Sequence, residues 1–429
     1  MGQTIGVISL GCAKNQVDTE RMLGLLLSRG FTLVTEPEKA DILIVNTCGF
    51  IDPAKQESIE SLLEMAKYKQ LGSCKKLVAT GCLTERYRKE LAESMPELDV
   101  ILGVREYDKL PALLGAEPGA PVCCGSPRVL VTPPYTAYLR IADGCDNRCA
   151  YCAIPLIRGP LVSEPVGPLL EEAKRLASNG VTELTVIAQD TSGYGRDRYG
   201  HSMLPTLLAG LDDIESLRWI RLLYTYPDTV TPELIDLIKN SAHIVPYLDM
   251  PIQHISDPVL KRMRRRGDSA HIKAVLEHIR KNAPEFTLRT TVMVGFPGET
   301  EDDFSELMQF LQEYPFDRLG AFVFSPEEGT PAADMPDQVP EEVAAARYNA
   351  LMAQQQIISH QRAMSRIGQV TEVLVEDMDE DGVYGRTRAE APDVDGRIIL
   401  PKLPGMQIGQ YRSVCLTGAL PYDMTAEWV

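Results

Sequence analysis

The chain has no apolar run near the ~18 residues that a membrane-spanning helix needs, so no such helix is expected. The opening MGQTIGVISLGC lacks a basic stretch and is expected to be a first strand rather than a secretory leader. Gly6 at the sixth position also departs from the acylation pattern. Positive charge is scarce: 43 Lys and Arg stand against 60 Asp and Glu, a formal charge of −17 over 429 residues. Such a field favours a basic partner over nucleic acid. Low-complexity tracts and solenoid repeats are missing, and the six histidines have no metal-site spacing. A cytoplasmic globular protein of about three domains is expected, at roughly 150 residues each.

Cysteine is present in quantity, with ten residues. In a reducing compartment these point to metal or redox chemistry before disulfides. Strand and helix patterns alternate over residues 1–115, with strands expected at Ile5–Leu10, Ile42–Asn46 and Leu77–Thr80. Helices are expected at Asn15–Ser28, Asp52–Lys69 and Thr84–Ser94, which together argue for an open parallel α/β sheet. Residues 116–134 are rich in Pro and Gly and form a linker. Residues 135–335 restart the alternation with six strands, Thr136–Ala142, Glu183–Ala188, Trp219–Tyr224, Val245–Met250, Leu288–Val294 and Leu319–Phe324. Six such units make a partial (β/α)6 barrel with its chemistry at the C-terminal strand ends. Residues 336–365 are a connecting helix, and residues 366–429 a small antiparallel β-barrel of about five strands.

Two cysteine sets carry chemistry. Cys145, Cys149 and Cys152 lie within CDNRCAYC, in the loop after the first barrel strand. Zinc usually takes four ligands, and a fourth is not nearby. A 4Fe-4S cluster on three thiolates keeps one iron open, as a reactive cluster requires. Cys12, Cys48 and Cys82 each follow a strand of the first domain, at the sheet edge where ligands bind. One strand–helix–strand step separates each from the next, so the three can converge. Cys74, Cys123, Cys124 and Cys415 fall outside both patterns and are expected to be non-ligands.

The C-x-x-x-C-x-x-C segment resembles the radical S-adenosylmethionine superfamily. With the first-domain triad and a C-terminal TRAM-like barrel, essentially the whole chain resembles the methylthiotransferases. SLGCAKNQVD, NTCGFI, AQDTSGYG and YLDMPIQH resemble the branch acting on a ribosomal protein. The transfer-RNA branch typically has Gly-Cys-Gln-Met-Asn at the first cysteine, where this chain has Gly11-Cys12-Ala13-Lys14-Asn15. It also tends to Gln-Asn where this chain has Gln189-Asp190.

The resemblance implies two 4Fe-4S clusters, one per triad, and S-adenosyl-L-methionine. It places the cofactor near Tyr151 and the GFPGET residues Gly295, Pro297 and Gly298, with no catalytic side chain beyond the cluster ligands. The implied reaction replaces a C–H bond on the β-carbon of an aspartate by C–S–CH₃, in the twelfth small-subunit ribosomal protein. The implied partners are that basic protein and a reducing donor such as flavodoxin or ferredoxin, with RNA contact secondary. The alternatives are a transfer-RNA adenosine methylthiotransferase and an iron–sulfur electron-transfer or scaffold protein.

From Arg366 to Val429 the charge balance is −5, which suits a basic protein better than RNA. Reversing Glu376, Asp377 and Asp379 is therefore expected to weaken docking. The basic run Lys261–Arg266 is expected to be a solvated helix end, and His254 a hydrogen-bonded structural residue.

Overall fold

A computed structural model describes residues 2–117 and 127–429. Cys123 and Cys124, with the middle of the linker, lie outside the described residues. In the first domain five parallel strands, β1 (Thr4–Ser9), β2 (Thr32–Leu33), β3 (Ile42–Thr47), β4 (Lys76–Gly81) and β5 (Val100–Ile101), are ordered β2-β1-β3-β4-β5. Every residue of β3 is buried, as expected of a central parallel strand covered on both faces. The edge strands β2 and β5 have two residues each, too short to show a period in sequence. The helix expected over Asp52–Lys69 ends at Ala66 and gives way to a separate turn of helix, Tyr68–Leu71. The one expected over Thr84–Ser94 begins earlier, at Cys82, and is divided at Tyr87, whose φ of −124° leaves the helical region.

The three strands preceding the first cysteine set, β1, β3 and β4, are immediate neighbours in the sheet. Adjacent strands lie about 4.8 Å apart. The topology therefore brings Cys12, Cys48 and Cys82 to one stretch of the sheet's C-terminal edge.

The central domain has six parallel strands in two hydrogen-bonded triplets. The first comprises β6 (Thr136–Arg140), β7 (Glu183–Ile187) and β8 (Trp219–Leu222); the second comprises β9 (Tyr247–Asp249), β10 (Thr287–Val294) and β11 (Arg318–Val323). A parallel bridge between Ile220 and Ile244 links the triplets. The outward side chains of Ala137, Leu139, Leu184, Val186, Ile220 and Leu222 form one apolar core with the surrounding helices. Among those helices, Glu301–Glu313 starts with a reciprocal cap between Thr300 and Asp303. The helix Glu341–Met364 leads to the C-terminal domain.

That domain is a closed five-stranded barrel of β12 (Val370–Met378), β13 (Val383–Arg386), β14 (Ile398–Leu400), β15 (Tyr411–Ala419) and β16 (Met424–Trp428). Four ladders are antiparallel, and β14 pairs with β16 in parallel. Leu374 and Ala391 pack with Tyr138, Trp219 and Tyr247 of the central domain. At the start of β7 the fully buried Glu183 accepts from Arg386 at 2.5 Å and from Arg221 at 3.2 Å. Glu390 binds Arg318 and Arg366, while Asp393 and Asp395 accept from the hydroxyls of Tyr138 and Tyr247.

These contacts correct the sequence-based electrostatics. Glu376 pairs with Arg386 at 2.7 Å, and Asp379 accepts the amides of Asp381 and Gly382 in its own turn. Much of the domain's acidity is thus internal, and reversing Glu376 would break a domain contact rather than report on docking. Glu183→Ala would leave the buried Arg221 guanidinium without a carboxylate and Arg386 with Glu376 alone. It is expected to cost about 3–5 kcal/mol, read as a lower urea midpoint for unfolding.

Candidate active site

Cys12 is exposed, Cys48 half-buried and Cys82 buried. The Gly11 turn lies against Cys48 closely enough that a β-carbon on Gly11 would sit 3.1 Å from the Cys48 sulfur. The fully buried Asn15 joins the three loops. Its amide nitrogen donates to the carbonyls of Leu10 and Thr47 at 3.0 and 2.9 Å, and its oxygen accepts from the Cys82 thiol at 3.3 Å. Asn46 fixes this hub by donating to the Asn15 carbonyl at 2.8 Å. Burial pushes the Cys82 thiol up to about 12, against the nearby Arg158 charge, and Cys12 and Cys48 push the same way. A metal cluster displaces such protons on binding.

Gly81, next to Cys82, has φ of +105°, and a β-carbon there would meet the Thr47 carbonyl oxygen at 2.4 Å. Gly81→Ala should destabilise the domain by about 1–3 kcal/mol through backbone strain. Iron retained per chain should fall with it, measurable by denaturant titration and iron assay of one preparation.

The second set sits on the loop after β6. Tight turns at Gly144 and Arg148 (φ +73° and +50°) fold this loop, and Cys145 and Ala150 donate to the carbonyls of Gly159 and Met263. All three thiols line one cavity of about 140 Å³ with Tyr151, Gln189 and Tyr226. The Cys149 sulfur lies 3.8 Å from the Tyr226 hydroxyl. Burial raises Cys145 to about 11 and Cys152 to about 12. Asp190 accepts from Asn147 at 2.8 Å and from Ser192 and Gly193, so the AQDTSG segment holds the cysteine loop in place.

A larger cavity of about 700 Å³ adjoins Tyr151. Gln253, Met293, Gly295 and Phe324 line its barrel side, and Phe50 and Ile51, just beyond Cys48, line the other. Buried Glu327 clasps the two domains across it, accepting from Lys55 at 2.7 Å and from the Asp52 amide at 3.1 Å. Gly295 thus reaches the cavity. Pro297 and Gly298 do not line it: Arg262 donates to the Pro297 carbonyl and occupies the space a Gly298 β-carbon would need.

His254 is fully buried, with Nδ1 accepting from the Ser256 amide. Lys261 and Arg262 are an exposed helix end as expected, with Arg264 exposed just past it, but Arg265 and Arg266 are not free in solvent. Arg265 stacks on Tyr226 at 4.1 Å and donates to the Tyr151 hydroxyl, and Arg266 pairs with Asp228 at 3.2 Å. Helical sequence periodicity breaks at Arg264, whose φ is +55°, and that break turns Arg265 inward. Sequence reasoning also missed Asn15 and Arg158. The signal for Asn15 was available, as a short polar residue in the first turn of a helix after a cysteine.

Among the described residues no three His, Cys, Asp or Glu side chains gather tightly enough for a single metal ion. One zinc with sulfurs at ~2.3 Å demands a close tetrahedral group, whereas a cuboidal cluster takes its thiolates at separate irons. The loop after β6, which brings three thiols to one cavity, suits the latter.

The pattern of the radical SAM superfamily matches residues 139–311, that of the TRAM domain residues 367–429, and that of the uncharacterized protein family UPF0004 residues 4–103. The solved TsrM radical S-adenosylmethionine methyltransferase of Kitasatospora setae superposes with a TM-score of 0.58 at 12% identity, over 84% of this chain and 91% of that one. The cobalamin-dependent radical enzyme OxsB gives 0.52 at 13%, over 83% and 56%. Fold and cysteine loop together define a radical S-adenosylmethionine enzyme, a class that uses this cofactor with a 4Fe-4S cluster. The similarity extends further with the ribosomal protein uS12 methylthiotransferases RimO. That of Pelotomaculum thermopropionicum is 46% identical over the full length of both chains, and that of Clostridioides difficile 44% over 99% of this chain and 98% of its own. The chain belongs to the ribosomal protein uS12 methylthiotransferase family.

Proposed function

We propose that the protein methylthiolates the β-carbon of an aspartate in ribosomal protein uS12, using one 4Fe-4S cluster on Cys145, Cys149 and Cys152 and a second on Cys12, Cys48 and Cys82. The observation that carries this reading is the pair of three-thiol sets on two domains, with a cavity between barrel and Cys48 loop. The full-length similarity to uS12 methylthiotransferases supports the substrate.

An aliphatic C–H bond is far too weak an acid for any side-chain base near neutral pH. Cys145, Cys149 and Cys152 would hold the barrel cluster, which would supply one-electron reduction of S-adenosylmethionine and so a homolytic route. The protein's own residues position and enclose. Tyr151 walls the gap between the two cavities, with Arg265 holding its hydroxyl at 3.2 Å. Gln189 lines the thiol cavity while its amide donates to Asp143 at 3.0 Å. The Glu327–Lys55 clasp holds the Cys48 loop over the barrel, and the apolar Phe50, Met293 and Phe324 limit water. The second cluster is the proposed site of the transferred sulfur. The electron comes from a flavodoxin- or ferredoxin-type donor.

Anaerobically reconstituted protein, given reductant and S-adenosylmethionine, is incubated separately with uS12 and with transfer RNA. The uS12 should gain one methylthio group on an aspartate, located by fragment mass, and the RNA should stay unchanged. A methylthioadenosine in the RNA digest would move the substrate to the other branch. Failure to release 5′-deoxyadenosine would leave only an iron–sulfur scaffold. A docking test by charge reversal belongs at Glu380 and Asp381, which are exposed, rather than at Glu376.

A further inference from the structure

Lys14 stands in the first turn of the helix Ala13–Leu27, two residues after Cys12, and is only 7% exposed. Among the described residues its ammonium makes no hydrogen bond and no ion pair; its one polar contact is the ring face of Tyr224, 3.1 Å away. Its stem is covered, yet its ammonium is not among the buried unpartnered atoms of the described residues, so it keeps an open side, and the ring face meets the other side only.

Tyr224 lines the cavity of Cys145, Cys149 and Cys152, so the contact spans the two domains. Tyr224 is itself held at φ of +62°, with its amide donating to Asp249 at 3.0 Å. Such left-handed backbone in a bulky residue is strained, and strain of this kind collects at functional sites. The helix carries no acid in its first turn and no side-chain cap, so its positive end adds to the same potential.

The neighbouring cations are engaged. Arg158 pairs with Asp18 and Asp143, and Lys55 with Asp52 and Glu327. Arg148 lines the thiol cavity but is exposed to solvent.

An aspartate whose β-carbon is to react carries its carboxylate one bond from that carbon. Two sets of thiolate ligands make the gap between the domains unfavourable for a carboxylate. We propose that Lys14 is the substrate's carboxylate anchor, its ammonium exchanging the open side above Tyr224 for the side chain of the target aspartate. This specificity role rests on the uS12 reading above.

The test compares, for each form of the reconstituted enzyme, the affinity for uS12 with that for uS12 whose target aspartate is asparagine. Wild type should favour the aspartate form at least about tenfold, as a charge-assisted hydrogen bond implies. Lys14→Met, similar in length but uncharged, should bring the ratio to about one, and Lys14→Arg should keep several-fold. Each ratio is internal to one variant, so partial loss of fold or iron lowers both affinities together. Lys14→Gln serves beside Lys14→Met should the latter fail to assemble. The proposal is overturned if Lys14→Met keeps the wild-type ratio, if wild type modifies uS12 without distinguishing the two forms, or if Arg148→Met removes the ratio instead. Absence of any binding or modification of uS12 by wild type would instead remove the substrate reading itself.

Discussion

Cys149→Ala should reduce 5′-deoxyadenosine formation, and with it methylthio product, to assay background. Cys149 is buried at the centre of its loop, between Cys145 and Cys152, and its sulfur faces the same cavity as theirs. A three-thiolate cluster has no spare ligand, and among the described residues no other cysteine lines this cavity. The nearby Tyr226 hydroxyl, 3.8 Å from the sulfur, cannot replace a thiolate for a soft iron–sulfur core. The barrel itself should survive. Its apolar core lies among Leu139, Val186, Leu248 and the flanking helices, remote in composition from the cysteine loop. The variant should therefore keep the iron bound to the other triad. Chromatographic assay of 5′-deoxyadenosine over time checks the outcome, and cleavage at more than a trace would contradict the assignment.

Cys48→Ala should act differently. It should stop methylthio transfer while leaving cleavage of S-adenosylmethionine within about tenfold of wild type, a change of ~1.4 kcal/mol in the barrier. The thiol cavity takes no lining residue from the first domain, so cofactor binding there does not depend on Cys48. Transfer does, because Cys48 directly follows the central strand β3 and the next residues, Phe50 and Ile51, wall the larger cavity. The Cys48 thiol is raised by burial and further by the Cys12 charge, which places the Cys12 sulfur nearby. Parallel assays of 5′-deoxyadenosine and substrate mass separate the roles. Normal product from the variant would show that this triad has another function.

Much of this was legible in sequence because parallel α/β architecture converts spacing into position. Cys12, Cys48 and Cys82 each lie just past a strand, and the sheet order makes those strands neighbours. The barrel strands were found to within a few residues for the same reason, since buried parallel strands are continuous apolar runs. Long-range polar ties were not legible. Arg158 contacts Asn15 and Asp18 across more than a hundred residues, and no local pattern announces such a contact. Nor did composition reveal that Glu376 is paired within its own domain, or that Glu390, Asp393 and Asp395 bond to Arg318, Tyr138 and Tyr247 of the central domain. A net charge counts residues without regard to their partners. Lys14 belongs with these: a lysine in a first helical turn is ordinarily solvated, and only the docking of helix on barrel buries it.

The most direct test is the iron and acid-labile sulfide content of anaerobically prepared protein, for wild type and for two triple variants. Wild type should hold about eight irons and as many sulfides per chain, as two 4Fe-4S clusters require. Replacing Cys145, Cys149 and Cys152 together, or Cys12, Cys48 and Cys82 together, should each leave about half. A content of about four irons in wild type that only one triple variant abolishes, or tightly bound zinc without labile sulfide, would contradict the two-cluster account.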